Sequence, residues 1–149
     1  MSSNYSVLCV RQEPSEPFQS HQEIFDSPPF ENQDFSELSQ RHGEIIYLAE
    51  QENVGFVHYE HWSNGSLLRR LKYNNDGSWL SADGEPEAWE SPILFSPALL
   101  EKTLQNWDAD GHTQIREAWS RQRIQEGDLF PILGLLDFIG DLRRFWKLP

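Results

Sequence analysis

The chain has 149 residues, of which 38% are hydrophobic and 13% aromatic, and its formal net charge at pH 7 is −12. This length fits one domain, and the hydrophobic content excludes an intrinsically disordered chain. The negative charge argues against nucleic acid and anionic membranes as partners, because affinity for phosphate groups comes from Lys and Arg.

The acidic residues are concentrated in the first part of the chain. Residues 1–60 hold 11 acids and 2 bases, residues 61–95 hold 5 and 3, and residues 96–149 hold 8 and 7. A field of this sign favours a basic protein as partner, although a general solubility charge would have the same composition. We therefore expect another protein, of basic character, as the binding partner.

No feature of the chain predicts secretion or membrane insertion. Cys9 is the single cysteine and cannot form an internal disulfide, and no basic stretch precedes a long apolar run at the N-terminus. The longest apolar stretch, residues 129–140, is interrupted by Asp137 and is too short for a hydrocarbon layer of about 30 Å. The expected location is the cytoplasm, with no transmembrane segment.

The first 43 residues predict one strand, one long loop and one short helix. Residues 5–11 form an apolar run typical of a strand. Residues 12–34 are rich in Pro and acids, so we expect a loop or arm there, and loops of this length are candidate binding elements. Residues 35–43 fit two helical turns, which Gly43 would end.

The next segment has the pattern of an antiparallel meander. Four strand-like runs lie between residues 44 and 83, and the connections between them contain the Asn64-Gly65 and Asp76-Gly77 pairs. Asn-Gly and Asp-Gly are the strongest short-range signals for hairpin turns.

Helices follow the strands. Ser96 and Pro97 are typical of a helix N-cap and first turn, a second helix is expected from Thr113, and a third from Asp128 to Lys147. Strands followed by helices indicate a single α+β domain, with an antiparallel β-meander of about four to five strands packed against C-terminal α-helices. The third helix is apolar almost all round, so it is either the central core helix or leaves one side for a homodimer contact.

The two hairpins place charges opposite each other across the strands. A two-residue Asn64-Gly65 turn pairs Glu60 with Arg69 on the face that we expect the helices to cover, and it pairs Tyr59 with Arg70 on the other. The next turn places Asp83 opposite either Arg70 or Arg69, depending on its length. A charge ladder across three strands is therefore expected.

The second face also predicts a binding site. Tyr59, Arg70, Lys72 and Trp79 would form an exposed aromatic and cationic patch, where a guanidinium could hold a carboxylate or phosphate group at two points. The acids that follow, Glu85, Glu87 and Glu90, lie around Pro86 in a connection where we expect them to be solvated. A catalytic role would require one of them to be buried.

The histidines do not predict a metal site. His58 and His61 are three apart on an expected strand, so their side chains point to opposite sides, one packed and one exposed. Residues 106–117 do resemble the twelve-residue calcium loop of the EF-hand family. The matching residues are Asp108, Asp110, Gly111, Gln114 and Glu117; Asn106 stands where that family has Asp, and Thr113 where it has an aliphatic residue. A simple connection between two helices is the alternative.

No motif for nucleophilic catalysis or for phosphate binding is present. The interpretation that we favour is a non-enzymatic cytoplasmic protein-binding or regulatory domain with an acidic surface, for example an antagonist of a basic partner. The alternatives are a small-molecule or calcium-binding module, which would use the Tyr59/Arg70/Trp79 face or the 106–117 loop, and a small enzyme of unidentified type. We assign no catalytic residue, no cofactor and no metal ligand.

Overall fold

The computed structural model describes residues 4–21, 31–51, 56–74, 76–128 and 138–149. In this part of the chain, six strands form one antiparallel sheet in the order β2-β1-β3-β4-β5-β6. The strands are β1 (Asn4–Arg11), β2 (Gln19–Ser20), β3 (Glu44–Gln51), β4 (Phe56–Ser63), β5 (Ser66–Tyr73) and β6 (Trp79–Gly84). The predicted meander is confirmed, and β1 and β2 extend it on the β3 side.

Five α-helices are described: α1 (Ser36–His42), α2 (Glu90–Leu94), α3 (Pro97–Gln105), α4 (His112–Arg121) and α5 (Phe138–Trp146). The α+β class is therefore confirmed, with more strands than the four to five expected. The sequence pattern did not predict the short helix α2. No helix within the described ranges is long and apolar enough to cross a bilayer.

Local chemistry explains where several elements begin and end. The Ser96 side chain accepts a hydrogen bond from the Leu99 amide, and Pro97 occupies the first turn of α3, as the sequence predicted. Gly43 has φ +94° and ends α1 with a hydrogen bond from its amide to Ser39 O. Asn64 and Gly65 both have positive φ, which fits the expected two-residue hairpin turn.

The sheet has two covered faces. The face that α2, α3, α4 and α5 cover, called the major face below, packs Ile46, Leu48, Tyr59, Leu71 and Trp79 against helix residues such as Leu94, Ile115 and Leu142. The opposite face, called the minor face, packs Ile45, Tyr47 and Trp62 against Phe35 and Leu38 at α1. The buried apolar residues of the described strands therefore pack in two cores, one on each face of the sheet.

A β-bulge changes the register between β4 and β5. Ser63 pairs with Ser66 and Trp62 with Leu67, as the turn predicts, but the register then shifts so that Glu60 pairs with Arg70. The prediction that Glu60 faces Arg69, and Tyr59 faces Arg70, is wrong, because the turn geometry sets only the pairs before a bulge. Glu60 lies on the minor face with Trp62, as alternation along β4 requires, so the expectation that the C-terminal helices cover its face is also wrong.

Parts of two predicted segments lie outside the described residues. In the 12–34 loop, residues 22–30 are outside, while Gln19–Ser20 form β2 against β1. In the predicted 128–147 helix, residues 129–137 are outside, and α5 covers most of the remainder.

Candidate functional site

The major face carries a histidine held between two carboxylates. The Nε2 atom of His61 on β4 donates to Glu44 Oε2 on β3 at 2.6 Å, and its Nδ1 atom donates to Glu87 Oε2 in the connection after β6. The His61 side chain is only 6% exposed. We call Glu44, His61 and Glu87 the buried triad.

Further donors surround the triad. Tyr59 Oη donates to Glu87 Oε1 at 2.5 Å and Trp89 Nε1 to the same oxygen at 3.1 Å. Arg11 Nε donates to Glu44 Oε1 at 2.5 Å. The ring of Trp146 on α5 packs edge-on against His61 with 4.8 Å between the ring centroids. The C-terminal helix therefore covers the triad.

The electrostatics of the triad fix its protonation state. Burial by itself would lower the pKa of His61, but its hydrogen bonds to Glu44 and Glu87 outweigh burial and raise that pKa to about 9. Burial likewise opposes ionisation of the two carboxyl groups, yet their contacts with His61 keep both pKa values below the ordinary range. At neutral pH the imidazolium has no free lone pair, so it cannot act as a general base or a metal ligand.

A second ion pair lies next to the triad. Arg69 Nε and Nη2 donate to the two oxygens of Glu90 at 2.9 and 2.7 Å, and Arg69 Nη1 donates to Gly84 O at 2.9 Å. The Glu87 amide also donates to Glu90 Oε2 at 2.8 Å, which links the ion pair to the triad.

These contacts correct the expectation for the acidic stretch after β6. Glu87 and Glu90 are not solvated, because each is paired with a cation under the helices. Of the three acids, only the Glu85 side chain is open to solvent, at 88% exposure. The signal that sequence reasoning missed is Trp89, a fully buried residue between the two acids that ties this connection to the core.

The minor face has its own buried carboxylate. Glu60 accepts hydrogen bonds from His58 Nε2 (2.7 Å), Trp62 Nε1 (2.7 Å), Arg70 Nε (3.1 Å) and the Gln33 amide (3.1 Å). Burial opposes ionisation of Glu60, but the donors, His58 foremost, lower its pKa. Arg70 Nη2 is a fifth donor, at 3.3 Å from Oε1, so this carboxylate has little capacity for another ligand.

The predictions for the histidines and for the charge ladder have mixed outcomes. His58 and His61 do lie on opposite faces of the sheet, but both are buried, so the expectation of one exposed histidine is wrong. Glu60 pairs with Arg70, and Arg70 with Asp83, so acid and base alternate across β4, β5 and β6. The ladder uses Arg70, not Arg69.

The four residues predicted to form a binding patch are divided between the two faces. Tyr59 and Trp79 are fully buried in the major core. On the minor face, Arg70 contacts Glu60, and Lys72 Nζ donates to Asn32 Oδ1 at 3.2 Å. The exposed aromatic and cationic patch is therefore not formed, because the bulge turns Arg70 and Lys72 away from the two aromatic rings.

The 106–117 segment does not have the geometry of a calcium loop. Helix α4 begins at His112, so six of the twelve positions are already helical. Gly111 has φ −90°, an ordinary helical value, where the EF-hand glycine allows a sharp turn. Within the described ranges, no group of three or more His, Cys, Asp or Glu side chains is arranged to hold a metal ion.

The buried charges contrast with those on the surface. Arg11, Arg69 and Arg70 all turn toward buried or half-buried carboxylates. Lys72 is half-buried as well, so Arg41 is the only exposed base among the described residues from 11 to 91, called the sheet half below. The exposed acids of this range, called the acidic surface below, are Glu13, Glu16, Glu31, Asp34, Glu37, Asp76, Asp83 and Glu85.

The described residues from 92 to 149, called the helical half below, expose similar numbers of acids and bases. Its exposed acids are Glu101, Asp108, Asp110, Glu117 and Glu126, and its exposed bases are Lys102, Arg116, Arg121, Arg123, Arg144 and Lys147. The negative field of the protein therefore originates on the side of the sheet half.

Comparisons with protein families, curated proteins and solved structures found no match.

Proposed function

We propose that this protein binds a basic partner protein through its acidic surface and performs no chemistry of its own. The observation that carries the proposal is the inward orientation of Arg11, Arg69 and Arg70. Each of these pairs is neutral overall and takes a cation away from the surface, so the exposed acids of the sheet half are in excess there. An antagonist that covers a basic surface of its partner, such as a nucleic-acid-binding surface, is the concrete form of this function.

The chemistry of the buried groups supports a binding role over catalysis. A general acid or base must reach its substrate and exchange a proton with it. His61 has both ring nitrogens engaged, and Trp146 packs against its ring. Glu60 and Glu90 are fully buried and held by Arg70 and Arg69. These groups fit a rigid scaffold better than a reactive site.

A rigid sheet with exposed carboxylates suits electrostatic recognition. Complementary charges steer the encounter between two proteins and select against partners of the same sign, and salt weakens the attraction. The fully buried thiol of Cys9 supports a reducing compartment as the site of this binding, and we propose the cytoplasm.

The test compares two variants that remove the same charge from different surfaces. The acidic-surface variant carries Glu13→Gln, Glu16→Gln, Glu31→Gln and Glu37→Gln, and it keeps Asp34, whose side chain accepts hydrogen bonds from the amide and hydroxyl of Ser36. The control variant neutralises four exposed acids of the helical half: Glu101, Asp108, Asp110 and Glu117. Each protein is immobilised, exposed to lysate of the source cells over a range of salt concentrations, and the captured proteins are identified by mass spectrometry.

We expect the unchanged protein and the control to capture the same basic protein, with capture decreasing steeply as salt rises. The acidic-surface variant should no longer capture this protein. Equal capture by both variants, or capture that salt does not weaken, would show that the acidic surface is not the binding surface.

A further inference from the structure

Helix α5 presents a basic and apolar side to solvent. Ile139 and Leu142 are buried in the major core, and Trp146 packs against His61. On its outer side, Phe145 is 43% exposed and the Arg144 side chain is 66% exposed. An exposed aromatic ring flanked by cations is typical of an interaction surface, where aromatic and Arg residues are enriched.

An open depression of about 450 Å³ lies along this helix. It is lined by Gly140, Arg143, Arg144, Lys147 and Leu148. Residues 138–149 contain three bases and one acid, in a chain whose net charge is −12. Cations in the last turn offset the helix dipole, but that role does not require an exposed Phe145 beside them. We call Phe145, Arg144 and Lys147 the α5 patch.

Arg144 Nη2 donates to Asp141 Oδ1 on the same helix at 2.5 Å, and Lys147 adds a second exposed cation. The α5 patch is thus basic on balance, an acidic surface would complement it, and the acidic surface of this same chain has that chemistry. Glu31 and Glu37 lie on the side of the minor face, next to Gln33 and within α1, whereas α5 packs on the major face. The sheet separates the two surfaces within one molecule. A contact between them therefore needs two copies.

We propose that the α5 patch of one copy docks onto the acidic surface of a second copy, at Glu31 and Glu37. The proposal rests on the proposed function, because it uses the same acidic surface and makes the basic α5 patch of a second copy one of the surfaces that it binds. Salt at physiological ionic strength screens charges beyond about 8 Å, so it weakens the repulsion between the net charges of two copies more than the attraction between charges that meet at the contact.

The contact is heterologous, because two different surfaces meet. A heterologous contact repeats from copy to copy, so it produces oligomers that grow with concentration unless they close into a ring. A copy without its α5 patch can still accept one neighbour, and a copy without its acidic acceptor can still dock on one.

The experiment measures mass by sedimentation equilibrium up to about 1 mM protein at physiological salt. One variant reverses the α5 patch (Arg144→Glu, Lys147→Glu), and its control makes the same charge change at exposed bases on and just after α4 (Arg116→Glu, Arg123→Glu). The unchanged chain and the control should form oligomers larger than dimers, and the α5 variant should associate at least about tenfold more weakly.

The acceptor is tested with Glu31→Lys and Glu37→Lys, against the control Glu101→Lys and Glu117→Lys. The acceptor variant alone should be monomeric. Mixed with the α5 variant, it should form a dimer with one copy of each and nothing larger. A mixture that stays monomeric would overturn the head-to-tail contact.

A third variant, Phe145→Ser, tests the apolar part of the patch without a change in charge. We expect it to weaken association, whereas Leu80→Ser, at a similarly exposed leucine on β6, should not. A chain that is monomeric at every concentration would overturn self-association. If lysate capture still depended on the acidic surface in that case, the proposed function would stand and only the second copy would be excluded as its partner.

Discussion

Arg69 and Glu90 form a two-point ion pair beneath the helices, and their side chains are only 2% and 1% exposed. Removing one partner would leave the other charge buried without compensation, which typically costs about 3–5 kcal/mol. We therefore expect Glu90→Ala to lower the free energy of unfolding by about that amount, measured by urea denaturation.

An exposed ion pair provides the control for this prediction. Arg123 Nη2 lies 3.6 Å from Glu85 Oε2, and the two side chains are 52% and 88% exposed. Arg123→Ala should therefore change the free energy of unfolding by less than about 0.5 kcal/mol. Replacing both buried partners, Arg69→Met with Glu90→Leu, should recover most of the loss, because no unpaired charge remains. A similar cost for Glu90→Ala and Arg123→Ala would contradict the role given to the buried pair.

The thiol of Cys9 should report on unfolding. Cys9 is fully buried in β1, and burial raises its pKa to about 11. Because the thiolate is the reactive form, we expect no measurable reaction of the native protein with a thiol-specific disulfide reagent at pH 8. Reaction should appear in urea over the same transition that circular dichroism records. Rapid reaction without denaturant would mean that β1 opens in the native state.

Much of the fold could be predicted because its signals are local. Asn64 and Gly65 adopt the positive φ angles that their turn requires, and Ser96 with Pro97 starts α3. These residues act on their immediate neighbours in the chain. Five of the six described strands and most of the helices could therefore be placed from the sequence, whereas β2 lies in the segment that was predicted to be a loop.

The candidate site could not be predicted, because long-range packing determines it. Leu68, at the bulge in β5, follows Leu67 in the sequence, and nothing in their chemistry indicates which leucine pairs with β4. Glu87 and Glu90 have partners 26 and 21 residues away, His61 and Arg69, and only the folded sheet brings them together. An acid-rich stretch near Pro and Gly otherwise indicates a solvated loop.

Gly84 should be intolerant of a side chain. It has φ +89°, and a Cβ atom there would lie 2.0 Å from the carbonyl oxygen of Leu68 on β5. Gly127 has a similar φ of +87° with nothing within 4 Å of such a Cβ, so Gly127→Ala should cost only the left-handed backbone penalty of about 1–2 kcal/mol. We expect Gly84→Ala to cost clearly more by urea denaturation, because β6 must move away from β5. Equal costs would mean that the two strands can separate without loss.

The buried triad should make stability depend on pH in the alkaline range. The pKa of His61 rises from 6.5 to about 9 on folding, so the folded state binds its proton more tightly than the unfolded state does. This stabilisation is complete below pH 6.5 and is lost as pH rises to about 9, a change of roughly 3 kcal/mol. Glu44 and Glu87 act in the opposite direction, since their pKa values are lowered on folding and their stabilisation is lost in acid.

Urea denaturation at a series of pH values tests this dependence. The unchanged protein should lose stability above pH 6.5, whereas His61→Gln should be less stable at neutral pH and should lack most of the alkaline loss, because its side chain does not titrate. His112→Gln, on the half-exposed first residue of α4, should keep the profile of the unchanged protein. If His61→Gln kept the alkaline slope, the titrating group would lie elsewhere, and His61 would not be the charged centre that holds Glu44 and Glu87 together beneath α5.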